Sequence, residues 1–157
     1  MKKTKTRGFE VVSKYVDDHT VRLPKRSTTA SAGYDFSSVV DIEIKPMKET
    51  LTSTLVPTGI KAYMPENEFL MLVNRSSSPR KRQLALPNGI GIIDADYYNN
   101  ENNEGEIFLQ LINYGEESQW IKKGERICQG IFTTYYLADD EEEPIAERTG
   151  GFGSSGK

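Results

Sequence analysis

Short apolar segments recur along this chain at even spacing, and glycine, proline and asparagine residues separate them. Several of the segments alternate apolar with polar residues, which is the pattern of a β-strand with one buried face. Many short strands divided by such turns predict an all-β fold, either a barrel or a sandwich. The predicted strands cover residues 9–16, 39–44, two stretches of 51–64 on either side of a turn at 57–59, 69–73, 88–97, 107–114 and 127–136.

One helix candidate interrupts the strands, at residues 78–85. Pro79 suits the first helical position, and a serine just before it suits the cap. The preceding Arg75, Ser76 and Ser77 would set a guanidinium and hydroxyl groups beside the free N–H groups of the helix start, an arrangement that binds anions. A capped surface helix without a ligand is an equally open alternative.

The composition limits the class of protein. A chain of 157 residues with 36% hydrophobic and 27% charged residues is expected to form one soluble globular domain. Its net charge of −3 provides no basic field for nucleic acid. The longest apolar runs, such as residues 69–73, are too short to span a membrane, and no apolar segment of a signal peptide follows the basic residues 1–7. No nucleic-acid or membrane partner is therefore expected.

One cysteine, Cys128, and one histidine, His19, narrow the chemistry further. A lone cysteine excludes an internal disulfide, which fits a reducing, cytoplasmic location. These two residues cannot form a zinc site of cysteine and histidine ligands within one chain. Ser-His-Asp catalysis would depend on His19, which lies in a turn-like segment and is expected to be a solvated loop residue.

The segment from Asn88 to Tyr97 reads as an apolar strand that ends in two acids and an aromatic residue. Its glycines at 89 and 91 indicate a bulge or a close approach of the backbone to a ligand. An acid at the end of an apolar strand, such as Asp94, is a plausible general base, and Tyr97 could form the wall of a pocket. A strand that leads into an ordinary polar turn would have a similar sequence, so the segment alone leaves both interpretations open.

The C-terminal part of the chain divides into two segments after a predicted domain at residues 1–138. Residues 139–147 begin with an acidic run and are expected to be a solvated linker. Residues 148–157 are too rich in glycine to fold alone, and they form either a frayed terminus or an arm that becomes ordered over a ligand. Such an arm could hold an anion with its backbone N–H groups and could stack Phe152 on a flat partner such as a nucleobase.

Two further segments carry polar residues in apolar surroundings. Gln129 lies in an otherwise apolar strand that follows the turn at 122–124, so its amide needs a partner, either a ligand or another backbone group. Asp35 is a carboxylate within the short apolar segment 32–36. Neither residue alone indicates a particular chemistry.

Taken together, five segments resemble the five ordered motifs of the trimeric dUTP diphosphatases (dUTPases). Any one of the motifs would be a weak indication, whereas five in the right order and at compatible spacing are specific. The match extends from about residue 8 to the end of the chain. The segments are Ala32-Gly-Tyr-Asp-Phe36, Arg75-Ser-Ser77, Asn88–Tyr97, Gly124-Glu-Arg-Ile-Cys-Gln129 and Arg148-Thr-Gly-Gly-Phe-Gly-Ser-Ser-Gly156.

The resemblance implies a jelly-roll-like β-barrel subunit with one short helix and a glycine-rich C-terminal arm. It implies a homotrimer with active sites between subunits, in which the arm closes over a site on a neighbour. The implied reaction is the hydrolysis of dUTP to dUMP and pyrophosphate with Mg²⁺, which limits uracil in DNA and supplies dUMP for dTMP synthesis. Charge neutralisation by Mg²⁺, arginines and N–H donors is what a triphosphate requires before it is attacked.

The resemblance also implies a role for individual residues. Asp94 would activate the water that attacks the α-phosphorus, and Tyr97 would pack against the deoxyribose and leave no room for a 2′-hydroxyl. Asp35 would bind Mg²⁺ through its waters. Uracil would lie in a slot formed by Asn88 and the backbone of Ile92, Ile93 and Phe108. The phosphates would be held by Arg75, Ser76, Ser77 and Gln129. The arm would contribute Arg148, Phe152, Gly153, Ser154 and Ser155, with Phe152 stacked on uracil and Arg148 and the serines on the terminal phosphates.

The chain departs from the usual family pattern after Tyr97, where residues 98–104 lengthen the connection to the strand that holds Phe108. Arg126, next to motif four, is interpreted as structural, in a salt bridge. Two alternatives to the dUTPase interpretation remain. A dCTP deaminase-related enzyme would carry Pro-Gly-Phe after the motif-three acid, where this chain has Ala95-Asp96-Tyr97. A dUTPase-like regulatory module that binds a protein partner could coexist with activity, and the sequence identifies no such partner.

Overall fold

The computed structural model describes residues 3–144 and 146–152. These residues are mostly β-structure with few helices. Twelve strands are formed: β1 Gly8–Val11, β2 Lys25–Arg26, β3 Tyr34–Ser37, β4 Ile42–Ile44, β5 Thr54–Pro57, β6 Ile60–Tyr63, β7 Glu68–Asn74, β8 Leu84–Ala85, β9 Ile90–Asp94, β10 Phe108–Asn113, β11 Gln119–Ile121 and β12 Arg126–Thr134. The short α-helices are α1 Met47–Thr50 and α2 Ser77–Arg82, and 3₁₀ turns lie at Ser13–Tyr15 and Ala95–Tyr97.

The strands of the described residues form four separate antiparallel sheets, and the closed barrel expected from the resemblance is not formed. The largest sheet has the order β2-β3-β12-β7-β9, and a three-stranded sheet has the order β5-β10-β8. The pairs β1-β6 and β4-β11 complete the set. Single backbone contacts connect the sheets, such as the hydrogen bond from the Ile107 N–H to the Ile60 carbonyl at 2.8 Å, but no continuous ladder joins them.

The core lies between these sheets. Leu70 and Leu72 come from the largest sheet, and Leu109 and Leu111 come from the three-stranded sheet. All four side chains are buried, because alternate residues of a strand point to the same face. Cys128 is buried in the same cluster, and burial raises the pKa of its thiol to about 12, so the thiol stays protonated and unreactive.

Most predicted strands are confirmed, with shorter bounds than the sequence suggested. The two strands around residues 57–59 are β5 and β6, and the predicted turn near residues 122–124 ends at Gly124, whose φ is 83°. The strand predicted at 9–16 ends at Val11, because a 3₁₀ turn follows. The strand predicted at 39–44 is formed only at residues 42–44, and β11 was not predicted at all.

The helix predictions were partly wrong. Helix α2 begins at Ser77 and ends at Arg82, where Gln83 adopts a left-handed conformation with a φ of 51°. The expected serine cap is not made: the side chain of the N-cap residue, Ser76, makes no capping hydrogen bond, and the Ser78 hydroxyl donates to the Ile127 carbonyl at 3.1 Å. The additional helix α1 follows Pro46 and was missed by the sequence. No helix of residues 3–144 and 146–152 is long and apolar enough to cross a membrane.

Strand β7 determines where the site residues lie. It pairs with β9 on one side, so that Phe69 is opposite Asp94, and with β12 on the other side, so that Val73 is opposite Gln129. On the far side of β12, Gln129 is opposite Asp35 of β3. One sheet therefore carries three of the five sequence motifs.

Candidate active site

A cavity of about 250 Å³ opens beside the end of β9. It lies where β9 passes into the 3₁₀ turn that carries Tyr97, with β10 on the other side. Phe108 begins β10 and lines the cavity. Eight of the predicted site residues line it: Asn88, Ile92, Ile93, Asp94, Tyr97, Phe108, Arg148 and Phe152.

The carboxylate of Asp94 lies at the mouth of this cavity, with a side chain that is 51% exposed. Its Oδ2 accepts a hydrogen bond from the Arg148 guanidinium at 2.5 Å. The same guanidinium donates through Nε to Asp96 at 2.6 Å. Asp94 is thus open to water from one side and paired with a cation of the arm on the other.

Tyr97 forms the inner wall of the cavity and is only 4% exposed. Its hydroxyl donates to the Glu106 carbonyl at 2.5 Å and accepts from the Asn103 side chain at 2.7 Å. Burial raises the pKa of the phenol above its ordinary value, so the hydroxyl remains a donor. Two hydrogen bonds therefore fix the ring from its far end, against the cavity.

The first residues of the arm close the cavity. A Cβ added to Gly151 would lie 2.7 Å from the Tyr97 ring, so only glycine fits this position without displacement. Phe152 contacts Phe108 edge to face, with 6.1 Å between the ring centroids, and Thr149 accepts a backbone hydrogen bond from Asn102 at 3.2 Å. The arm thus lies over the cavity of its own chain, whereas the resemblance implied a neighbour's. The predicted contacts of residues 153–155 (Gly153, Ser154 and Ser155) lie outside the described residues.

A second cluster surrounds Asp35, whose side chain is 11% exposed. The carboxylate accepts from the Ser27 hydroxyl at 2.7 Å, and the guanidinium groups of Arg75 and Arg126 each approach it to 3.2 Å. Arg126 therefore makes the predicted salt bridge. The adjacent Gln129 side chain donates to the backbone at Asn74. Ser76 and Ser77 lie beside this cluster, at the start of α2.

The two groups of residues lie at opposite ends of β7. Asp94 is opposite Phe69, and Arg75 follows Asn74, which is five residues farther along the strand. At the rise of a β-strand this separation is about 17 Å. Within the described part of one chain, the second cluster contributes no residue to the Asp94 cavity.

Comparison with known proteins shows the family of the chain. The dUTPase family model matches residues 19–156. The chain belongs to the dUTPase family. A deoxyuridine 5′-triphosphate nucleotidohydrolase of Lactococcus lactis is 49% identical over 153 residues, which cover 97% of this chain and 99% of that protein. A crystal structure of dUTPase from Streptococcus mutans matches with a TM-score of 0.77 and 46% identity, covering 84% of this chain and 98% of that one.

More distant members of the dUTPase family share the fold. A dUTPase of Staphylococcus bacteriophage 80alpha, solved as a G164S mutant with dUpNHpp, matches with a TM-score of 0.69 at 24% identity. It covers 98% of this chain and the whole of the phage chain.

Several residues at the dUTPase-like site were not predicted from the sequence. Gln110 lines the cavity beside Phe108. The alternation of side chains along β10 could have indicated this position, because Leu109 and Leu111 face the core and Gln110 therefore faces the other way. Asp96 and Asn103 contact the site only through Arg148 and Tyr97, respectively. No local pattern distinguishes such residues from ordinary loop residues.

Proposed function

We propose that this chain hydrolyses dUTP to dUMP and pyrophosphate, with Asp94 as the general base. One observation carries the assignment: in a chain of the dUTPase family, a single cavity combines a half-exposed carboxylate, Asp94, with a buried aromatic wall, Tyr97, and an edge strand, β9. A volume of about 250 Å³ is below the roughly 300–1,000 Å³ of sites that hold a whole drug-sized ligand. It suits the nucleoside part of dUTP, with the phosphates outside.

The uracil base is read by backbone groups of β9 and by the Asn88 amide. Among the described residues, β9 pairs with β7 alone, so the backbone at its other edge has free donors and acceptors at Ile92 or Ile93. A slot of fixed hydrogen-bonding groups rejects cytosine strongly, because mismatched donors and acceptors are left unpaired. Phe108 and Phe152 supply the apolar surface beside the base.

In the chemical step, Asp94 positions and deprotonates a water molecule. A proton passes from this water to the Asp94 carboxylate while the water oxygen forms a bond to the α-phosphorus. The bond from the α-phosphorus to the oxygen bridging to the β-phosphorus breaks, and pyrophosphate leaves with that bridging oxygen. The substrate's negative charges compete with Asp94 and Asp96 for Arg148, so binding transfers this guanidinium from the carboxylates to the phosphates.

The phosphates are bound by the second cluster, supplied by another copy of the chain in a homotrimer. Arg75, Ser76, Ser77 and Gln129 carry the donors that a triphosphate needs. Gln129 is opposite Val73 and Arg75 follows Asn74, so along β7 they lie about 13–20 Å from the position of Asp94. This distance supports sites that combine the Asp94 cavity of one subunit with the Arg75 cluster of the next.

The Asp35 carboxylate can help to hold Mg²⁺ only together with substrate phosphates and water molecules. No group of three or more histidine, cysteine or acidic residues suitable for a metal occurs among residues 3–144 and 146–152. Mg²⁺ commonly keeps several waters and takes its other ligands from phosphates. Asp35 would accept hydrogen bonds from those waters. When bound, the ion neutralises charge on the leaving pyrophosphate.

Product analysis tests the function. Incubation with dUTP and Mg²⁺ should release dUMP and pyrophosphate much faster than incubation with dCTP, dTTP or UTP, and a chelator should abolish the release. Ammonia release from dCTP would instead identify a deaminase. Equal turnover of dUTP and UTP would contradict the role of Tyr97.

Subunit mixing tests the shared site. Asp94→Asn and Arg75→Ala chains should each be nearly inactive alone, but refolding them together should restore activity in about a quarter of the sites if each site draws its halves from different subunits at random. Absence of recovery in verified mixed trimers would show that each chain holds a complete site. Refolding of wild-type chains with each variant is the control for assembly.

A further inference from the structure

The loop of residues 98–104, longer here than in the usual family pattern, is tightly held by its own side chains. Asn100 is only 7% exposed, and its amide donates to the Tyr97 carbonyl and to the Asn103 side chain, each at 2.8 Å. Its Oδ1 accepts the backbone N–H groups of Asn102 and Asn103. The loop is therefore an ordered element rather than a flexible excursion.

The base of the same loop is anchored to the body of the protein by a nearly buried lysine. Lys61 donates to Glu104 at 2.7 Å and to the Asn99 side chain at 2.6 Å, and its own side chain is 9% exposed. Glu104 also accepts from the backbone and hydroxyl of Ser13. A charge with so little exposure to water holds its partners firmly, because separating them would leave an unpaired ion.

The anchored loop holds one end of Tyr97. The Asn103 Oδ1 is fixed by the Asn100 amide and by the Gly105 N–H at 3.1 Å, which aims its Nδ2 at the Tyr97 hydroxyl. The hydroxyl in turn donates to the Glu106 carbonyl. The phenol therefore has two partners in fixed directions, and the ring cannot move away from the cavity without breaking one of them.

We infer that the 98–104 loop determines how strongly the enzyme discriminates dUTP from UTP, with Asn103 as the positioning residue for the Tyr97 ring. The inference rests on the proposed function, in which this ring packs against the sugar. A 2′-hydroxyl adds a single oxygen atom to the sugar. UTP is therefore admitted if the Tyr97 ring moves by only a fraction of the diameter of that atom. A wall held from behind by Asn103 excludes it.

The test compares kcat/KM for dUTP and for UTP in Asn103→Asp. This substitution keeps the size of the side chain and an oxygen for Asn100 and Gly105, but it replaces the N–H that faces Tyr97 by an oxygen. The ratio of the two kcat/KM values should fall by about tenfold or more, because the phenol can no longer satisfy both partners. Asn102→Asp is the matched control and should keep the wild-type ratio, since the Asn102 side chain makes no hydrogen bond to the described residues.

Tyr97→Phe tests the same hydrogen bonds from the other side and keeps the ring, so the inference stays testable if Asn103→Asp does not fold. Its ratio should fall by at least the same factor, and Asn103→Asp in the Tyr97→Phe background should lower it no further. An unchanged ratio in both single variants, even with lower rates for both substrates, would overturn the inference and make the loop merely structural. If wild-type protein itself does not prefer dUTP, the proposed function fails instead.

Discussion

The two ends of β7 carry opposite kinds of binding surface. At the Asp94 end, a buried aromatic wall, an edge strand and the arm enclose a cavity, and shape dominates. At the Arg75 end, two guanidinium groups converge on Asp35, and charge dominates. A nucleotide has an uncharged base and sugar at one end and several negative charges at the other. The difference between the two regions therefore matches the two parts of the proposed substrate, in line with the proposal that two copies of the chain share each site.

The largest expected effect comes from Asp94→Asn, which removes the general base and keeps the shape of the cavity. Turnover should fall by about 10³-fold or more, while dUTP still binds. Pyrophosphate release and calorimetric titration with dUTP would measure the two quantities. Asp96→Asn is the matched control, since both carboxylates pair with Arg148, and it should lose only several-fold. Turnover of Asp94→Asn within about tenfold of wild type would require another base.

A smaller loss is expected when the arm is removed. Deletion of residues 148–157 should lower kcat/KM by about 100-fold, because the cavity is no longer closed against water. Light scattering should give the same oligomeric state as for the complete chain. Dissociation of the oligomer would instead make the arm structural.

Gly151→Ala is a narrower version of this experiment. It adds one methyl group where the arm contacts the Tyr97 ring, so it should weaken closure without shortening the chain. Activity equal to wild type would show that the arm does not dock at Tyr97 during turnover.

The smallest expected effects are on thermal stability, and they have opposite signs in the two regions. Burial raises the pKa of the Glu106 carboxyl above its ordinary value. As pH rises, the unfolded chain therefore loses this proton first, and stability decreases until the folded protein also ionises. Glu106→Gln avoids this loss and can still accept the Gly59 N–H, so its Tm should exceed that of wild type by about 2 °C at pH 7. The difference should shrink under acidic conditions.

The charged region should respond with the opposite sign. Asp35→Asn should lower Tm at pH 7, because two guanidinium groups lose the negative charge that they share. Thermal unfolding of both variants across pH would reveal the contrast. A lower Tm for Glu106→Gln at pH 7 would contradict the desolvation argument.

The sequence predicted individual site residues better than their arrangement. Asp94, Tyr97 and Phe108 lie together in one cavity as the motifs implied, because they are linked by a strand and a loop of fixed length. Asp96 and Asn103 were missed, since each acts through a hydrogen bond to another side chain and has no signature of its own. The closed barrel implied by the resemblance was wrong, because motifs and residue alternation indicate strands but do not determine which strand edges meet.

The sequence by itself determined the succession of short strands, the family motifs and therefore the dUTPase membership, because these depend on residue types and local spacing. Only the tertiary structure decided that the motifs separate into two regions at the ends of β7 and that the first residues of the arm reach the cavity of their own chain. Those relations arise from the pairing of strands that are distant in sequence. Such pairing is decided by the packing of the whole core rather than by any local pattern of residues.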